Sequence, residues 1–281
     1  MIARRAVLAG AAAFAALPRT FALGEPAPHL TFKGSREQGS LIVCETGSGA
    51  SGATVDGEAV RLSPSGVFAF GIAYDRTKPA SIEARYGRDA VAKESLTPIV
   101  RQYEIQRVNG LPQQFVTPSP EEALRIKREN ALIVAARKRD TDGMGFAGTF
   151  DWPFPGRLSG VYGSQRIDNG TPMAPHLGVD IAAPEGTPIR APADAVVSIS
   201  DDYFLDGGFT LLDHGHGVST CYLHQSKRAV KAGDKVVRGD IIGYVGQTGR
   251  ATGPHTHWGL NLFQLKLDPS RSTATPDPPK G

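Results

Sequence analysis

Two short stretches of the chain carry residue types that hold metals: His176-Leu177-Gly178-Val179-Asp180 and, far downstream, His255-Thr256-His257. Histidine and carboxylate are ligands that zinc favours, and three protein ligands plus one water describe a catalytic site rather than a closed structural one. His224 lies between the two stretches, at the end of a Ser219–His224 run that reads as a strand. That gives three ligands from a pool with imidazoles to spare, enough for metal-assisted hydrolysis.

Spacing constrains how these residues meet. Residues i and i+2 of a strand point to the same face, so His255 and His257 can reach one site. His176 and Asp180 would be about 13 Å apart in an extended strand, too far for a shared metal with bonds near 2 Å. Gly178-Val179 followed by Ile181-Ala182-Ala183-Pro184 does not read as helix. The chain therefore must bend between them, and Gly178 is the residue that permits it. Alternation puts Thr220, Tyr222 and His224 on one face and Cys221 and Leu223 on the other, so with His224 at the metal Cys221 is not a ligand. His214-Gly215-His216 is a competing pair. It sits among Asp213, Gly215 and Gly217, reads as a hairpin turn, and suits His214 to a structural role. Gly243 to Gly253 is glycine-rich but lacks the Gly-Lys-Ser/Thr ending of a phosphate loop; it reads as tight turns beside an open groove.

The elements that must position these residues are mainly strands. With 33 Gly and 21 Pro in 281 residues, turns are many. Residues 23–110 show short apolar runs, such as Leu41–Cys44, Gly66–Ala73 and Ser81–Tyr86. Val55-Asp56-Gly57-Glu58 is a hairpin signal. This reads as an accessory β-sandwich of immunoglobulin-like type, with nothing catalytic in it. Residues 111–145 form a linker with a helix over 120–139: Ser119 as N-cap, Pro120 at the first helical position, acids in the first turn and Arg137-Lys138-Arg139 at the end. Residues 146–268 are again strand-rich and hold every candidate ligand. Residues 269–281, rich in Pro, Ser and Thr, are expected to form a disordered tail.

The start of the chain reads as a signal. Residues 1–22 join a basic end to an Ala-rich apolar run and resemble a secretory signal peptide cleaved after Ala22. Arg4-Arg5 is twin-arginine-like. The apolar run is too short for a stable membrane span. Removing these residues takes three arginines and no acid from a chain of net charge +3, which leaves no net charge. Nothing then points to nucleic-acid binding. The expected location is periplasmic or secreted. Cys44 and Cys221 are expected to lie in different domains as buried thiols rather than as a bridge.

His176-x-x-x-Asp180, Tyr222-Leu223-His224 and Gly253-Pro254-His255-Thr256-His257-Trp258 occur in the order and context of the motifs of lysostaphin/LytM-type zinc endopeptidases, which cleave peptidoglycan peptides. Gly178 to Ala191, Gly233 to Gly243 and Gly246-x-Thr248-Gly249 resemble that family's connecting text, and the resemblance covers about residues 150–266. It implies a β-rich, duplicated hybrid motif-like catalytic domain and one Zn2+ per chain, with His176, Asp180 and His257 as ligands. It also implies His224 and His255 as the catalytic imidazoles beside the metal-bound water. Thr256 replaces a common Leu and His216 a frequent Asn, neither at the five matched positions. No His-Glu-x-x-His exists, so a histidine must serve as the base. The implied substrate is a peptidoglycan peptide. The rival role is a catalytically silent factor that binds and activates a cell-wall amidase, with amidase or division proteins as partners.

Overall fold

The computed structural model describes residues 28–88 and 90–280. The expected signal peptide lies outside the described residues. Among those described, no helix is long and apolar enough to cross a membrane.

The N-terminal strands are β1 (Thr31–Lys33), β2 (Leu41–Glu45), β3 (Ala50–Val55), β4 (Glu58–Val60), β5 (Val67–Gly71), β6 (Ala80–Tyr86) and β7 (Ala90–Leu96). They form two antiparallel sheets, ordered β1-β2-β5 and β4-β3-β6-β7. Between the sheets Ile42, Cys44, Phe68, Phe70, Ile72 and Ile82 are buried together. The Asp56-Gly57 turn has positive φ at both residues, the geometry that joins β3 to β4 in a tight hairpin. Leu41, Val43 and Ala69 project the other way and join the core of the C-terminal part.

The connector holds β8 (Ile105–Val108), α1 (Gln113–Val116) and α2 (Pro120–Ala136). Helix α2 starts where its sequence says. Ser119 Oγ accepts from the Glu122 amide at 3.3 Å, and Glu122 accepts from the Ser119 amide at 2.8 Å, a reciprocal capping box behind a proline at the first position. It ends at Ala136 rather than at the expected 139. The amides of Lys138 and Arg139 bond carbonyls three residues back, which tightens the last turn out of α-helical geometry.

The C-terminal part comprises β9 (Arg157–Gly160), β10 (Gln165–Asp168), β11 (Thr171–Pro172), β12 (Val179–Ala182), β13 (Pro188–Arg190), β14 (Ala195–Tyr203), β15 (Gly207–Gly215), β16 (Val218–Gln225), β17 (Lys227–Arg228), β18 (Lys235–Val236), β19 (Ile241–Tyr244), β20 (His255–Leu262) and β21 (Leu265–Leu267). The main sheet runs β18-β14-β15-β16-β20-β12-β9, with β21 on β20. One face, carrying Tyr222, Trp258 and Ile181, packs into a core shared with Ile189 and Ile242 of the small β13-β19-β17 sheet. On the opposite face Phe209, Leu211 and Cys221 are covered by Ile133 of α2. Strand β8 pairs in parallel with β10, so the connector extends a C-terminal sheet.

The expected disordered tail is corrected by the structure. Pro269–Ser272 forms a short 3-10 helix. From its last residue onward the carbonyls of Ser272, Thr275 and Pro279 accept from Phe150 N, Trp152 Nε1 and Gly156 N at 2.8–3.1 Å. Proline, serine and threonine composition does not prevent packing where a neighbouring segment supplies donors for each carbonyl. Cys44 and Cys221 are both buried free thiols in separate apolar clusters.

Candidate metal centre

The register of three strands builds the site. Asp180 of β12 pairs with His257 of β20, and His257 pairs with Leu223 of β16. Residues opposite one another in a ladder share a face, so Asp180 and His257 stand side by side on the face away from the Trp258 core. His176 arrives from the loop before β12. Its amide donates to the Ser164 carbonyl at 2.8 Å and its carbonyl accepts from Gly163 at 2.7 Å. The chain bends at Gly178 and becomes strand only at Val179. That bend brings His176 Nε2 to 3.1 Å from Asp180 Oδ1, against the extended-strand separation of about 13 Å. Gly178 has a second reason to be glycine. A Cβ there would lie 2.4–2.5 Å from the His257 ring, so any side chain would displace that imidazole.

Three atoms close a triangle: His176 Nε2 to His257 Nδ1 at 2.8 Å, His257 Nδ1 to Asp180 Oδ1 at 3.0 Å, and His176 Nε2 to Asp180 Oδ1 at 3.1 Å. A tetrahedral centre with bonds of about 2.0 Å spaces its ligand atoms about 3.3 Å apart. Two imidazole nitrogens and one carboxylate oxygen converging at this spacing fit a divalent cation, and these residues are a candidate metal group by geometry. The tautomers agree. His176 Nδ1 lies 3.2 Å from the Val161 carbonyl, which can only accept, so the proton sits there and Nε2 offers its lone pair to the site.

Charge is managed by the surroundings. Burial opposes ionisation of Asp180, yet His176, His257 and Arg166 outweigh it and hold the carboxyl well below the usual carboxylate range. Arg166 Nη2 donates to Asp180 Oδ2, the oxygen turned from the histidines. Burial pushes His257 down to about 4 against the opposing pull of Asp180, so it is neutral near pH 7.

His224 and His255 form a second pair, with ring centroids 4.8 Å apart. Nδ1 of His224 lies 2.8 Å from the Thr248 carbonyl and Nδ1 of His255 lies 2.8 Å from the Gly253 carbonyl. A carbonyl only accepts, so each Nδ1 carries a proton, and in the neutral ring Nε2 is the acceptor. The glycine-rich loop between β19 and β20 thus sets both tautomers through its backbone. Burial pushes His224 to about 3, with His255 and His257 adding to the effect.

One expectation fails here. Strand alternation put His224 on the face opposite Cys221 and Leu223. His224 instead has φ 67°, a left-handed conformation that ends the pleat. Leu223 and Cys221 lie on the His257 face, Cys221 opposite Gly259, and His224 turns over to join them. Cys221 still stays out of the ligand triangle.

The competing pair goes elsewhere. His214 is buried, with Nδ1 2.9 Å from the Asp194 carbonyl and Nε2 2.8 Å from Thr220 Oγ1. His216 packs on Phe146 with centroids 4.8 Å apart. Arg166 and the two loop carbonyls escaped sequence reasoning. Arginine in a short polar strand carries no local signal of the carboxylate it will meet.

Comparison with known proteins places this geometry in context. Residues 174–269 match the model of Peptidase family M23. The chain is 43% identical over 105 residues to peptidoglycan DD-endopeptidase ShyA of Vibrio cholerae, a stretch covering 37% of this chain and 24% of that protein. It is 36% identical over 159 residues to an uncharacterized metalloprotease of Haemophilus influenzae, covering 53% of this chain and 33% of that one. The chain thus spans a third or less of these relatives. A crystal structure assigned to peptidase M23 from Pseudomonas aeruginosa superposes with a TM-score of 0.64 at 32% identity, covering 84% of this chain and 94% of that one.

Proposed function

Because this chain belongs to peptidase family M23 through residues 174–269, we propose that it is an exported zinc metalloendopeptidase that hydrolyses peptide bonds of peptidoglycan. The observation that carries the reading is the triangle of His176 Nε2, Asp180 Oδ1 and His257 Nδ1, with edges of 2.8–3.1 Å. These three residues would hold one Zn2+. When bound there, zinc lowers the pKa of a water and polarises the scissile carbonyl.

The chain's own groups do the rest. In the neutral rings of His224 and His255 the lone pair lies on Nε2, because the Thr248 and Gly253 carbonyls hold a proton on Nδ1. One takes the proton of the attacking water on Nε2 and, as the imidazolium so formed, gives it to the leaving amine; the other ring, its centroid 4.8 Å from the first, lines the same reacting site. Arg166 keeps Asp180 ionised and aimed. The N-terminal sheets are read as an immunoglobulin-like accessory sandwich, supported by their β1-β2-β5 and β4-β3-β6-β7 strand orders. Export rests on the signal-like residues 1–22, and a periplasmic or secreted location follows from it.

Retention of all five residues weighs against the silent amidase-activating role. Digestion of purified sacculi by the mature chain, with mass spectrometry of the released muropeptides, tests the proposal. The expected result is cleaved cross-links with wild type and intact ones with His257→Ala. Equal release by both would refute it.

A further inference from the structure

We propose that the cavity flanking Asp180 and His255 is a subsite for a free carboxylate of the substrate, held by Arg157 and Arg250. The inference rests on the peptidase reading of the metal centre and extends it to substrate class.

Strand register places the first arginine. Arg157 of β9 lies opposite Ala182 of β12, and Ala182 lies opposite His255 of β20. Paired residues share a face, so Arg157 and His255 stand on one face with only the Ala182 methyl between them. Two strand spacings separate their backbones by about 10 Å, and an extended arginine covers much of that gap. The row runs parallel to the Asp180–His257 row, one pleat away.

A cavity of about 260 Å³ opens at this row, with Arg157, Arg166, Arg250, Asp168, Asp180 and His255 on its walls. Three guanidinium groups face two carboxylates, a surplus of positive charge. Arg166 is engaged with Asp180. Arg250 Nη1 is 3.6 Å from Asp168 Oδ2, beyond hydrogen-bond length. Asp168 is buried behind it, its Oδ1 without a hydrogen-bond partner among the described residues, and holds Arg250 by charge alone. Among the described residues Arg157 meets only the Leu158 carbonyl, at 3.5 Å. Arg157 therefore keeps its forked N–H groups for a ligand and Arg250 those not turned to Asp168, and that fork matches a carboxylate in two parallel bonds.

The position says which carboxylate. The residue that supplies the scissile carbonyl has used its α-carboxyl in the bond. A free carboxylate within a residue length or two of the bond, about 3.5–7 Å, is then either a second carboxylate of that residue or one on the residue that supplies the scissile nitrogen; the subsite is assigned to the latter, which the paired peptides below test. The subsite fits peptides whose amine-side residue ends in, or carries beside the bond, a free carboxylate.

The test uses the zinc-loaded mature chain and two peptides that differ only in carboxylate or carboxamide on the residue after the scissile bond. We expect kcat/KM at least tenfold higher for the acid, mostly through KM. Arg157→Gln, with zinc content unchanged, should bring that preference below threefold by raising KM for the acid alone, and Arg157→Lys should restore part of it. Equal cleavage of both peptides by the wild type overturns the subsite while leaving the peptidase reading intact. So does an equal loss on both in Arg157→Gln. Cleavage of neither peptide counts against the peptidase reading, and calorimetric titration of the same peptides then decides the subsite. Tighter binding of the acid that Arg157→Gln abolishes supports it; equal binding overturns it.

Discussion

Arg166 Nη2 donates to Asp180 Oδ2, while Oδ1 of the same carboxylate lies 3.0 Å from His257 Nδ1. One oxygen is thus tethered and the other is aimed into the histidine pair. Outer partners of this kind orient a metal ligand and typically contribute roughly 10–100-fold to metal affinity. Arg166→Ala is expected to weaken zinc binding by about that factor, with the fold retained. Competition against a chromogenic chelator measures it; an unchanged zinc affinity would show that Arg166 is a bystander.

The two histidines of His255-Thr256-His257 are expected to fail differently. His257→Ala should purify with little zinc and no activity. His255→Ala should keep its zinc and lose roughly 10²–10⁴ in kcat, the usual worth of a general acid or base, and His224→Ala should behave alike. Metal analysis beside turnover on sacculi separates the cases. Comparable zinc loss in His255→Ala and His257→Ala would dissolve the division of labour.

Gly178→Ala is expected to damage the site without touching a ligand. Its methyl would lie 2.4 Å from His257 Cε1 and 2.9 Å from the Trp258 carbonyl, and overpacking of this kind costs about 1–3 kcal/mol. The expected outcome is a lower unfolding midpoint together with weaker zinc binding. Wild-type values for both would mean the loop relaxes freely.

Acid should destabilise the metal-free chain through its buried histidines. Burial pushes His214 down to about 4, far from the metal triangle, and His224 and His257 shift the same way. The folded chain keeps these rings neutral while the unfolded chain protonates them below about pH 6.5. Their contribution is therefore complete above that pH and is lost as pH falls towards 4, at about 1.4 kcal/mol per unit for each group. Urea unfolding with chelator at about pH 7.5 and about pH 5 should show the midpoint dropping, and less so in His214→Gln. A midpoint that does not move would contradict the assignment of neutral buried rings.

Much of this was readable from the chain because it depends on local rules. Ser119, Pro120 and Glu122 announce the start of α2 whatever packs on it. Asp56-Gly57 dictates its hairpin. The bend at Gly178 follows from the 13 Å that an extended chain would leave, about the length of four residues. What stayed hidden depends on distant partners. His224 leaves the pleat where its amide meets the Asp206 carbonyl at 2.8 Å and its ring meets Thr248, and no alternation rule contains that information. Arg166 acquires meaning only when β10 brings its side chain to Asp180 of β12. The tail packs because Phe150, Trp152 and Gly156 offer donors to it, and composition speaks only of the tail itself.

The pairing of β8 with β10 has a consequence for anyone wishing to transplant the metal centre. Gln106 Nε2 donates to the Ser159 carbonyl and Asn169 Nδ2 to the Leu111 carbonyl, and Gln106, Val108 and Leu111 form part of the wall around the arginine-lined cavity. Residues that precede α2 in sequence thus complete a sheet and a cavity wall belonging to residues that follow it. The portable unit is therefore larger than the 174–269 span that similarity marks out. A graft cut at that boundary would carry the His255-Thr256-His257 strand and both carbonyl tethers, but it would leave behind Arg166, Arg157 and the strand that seals them in.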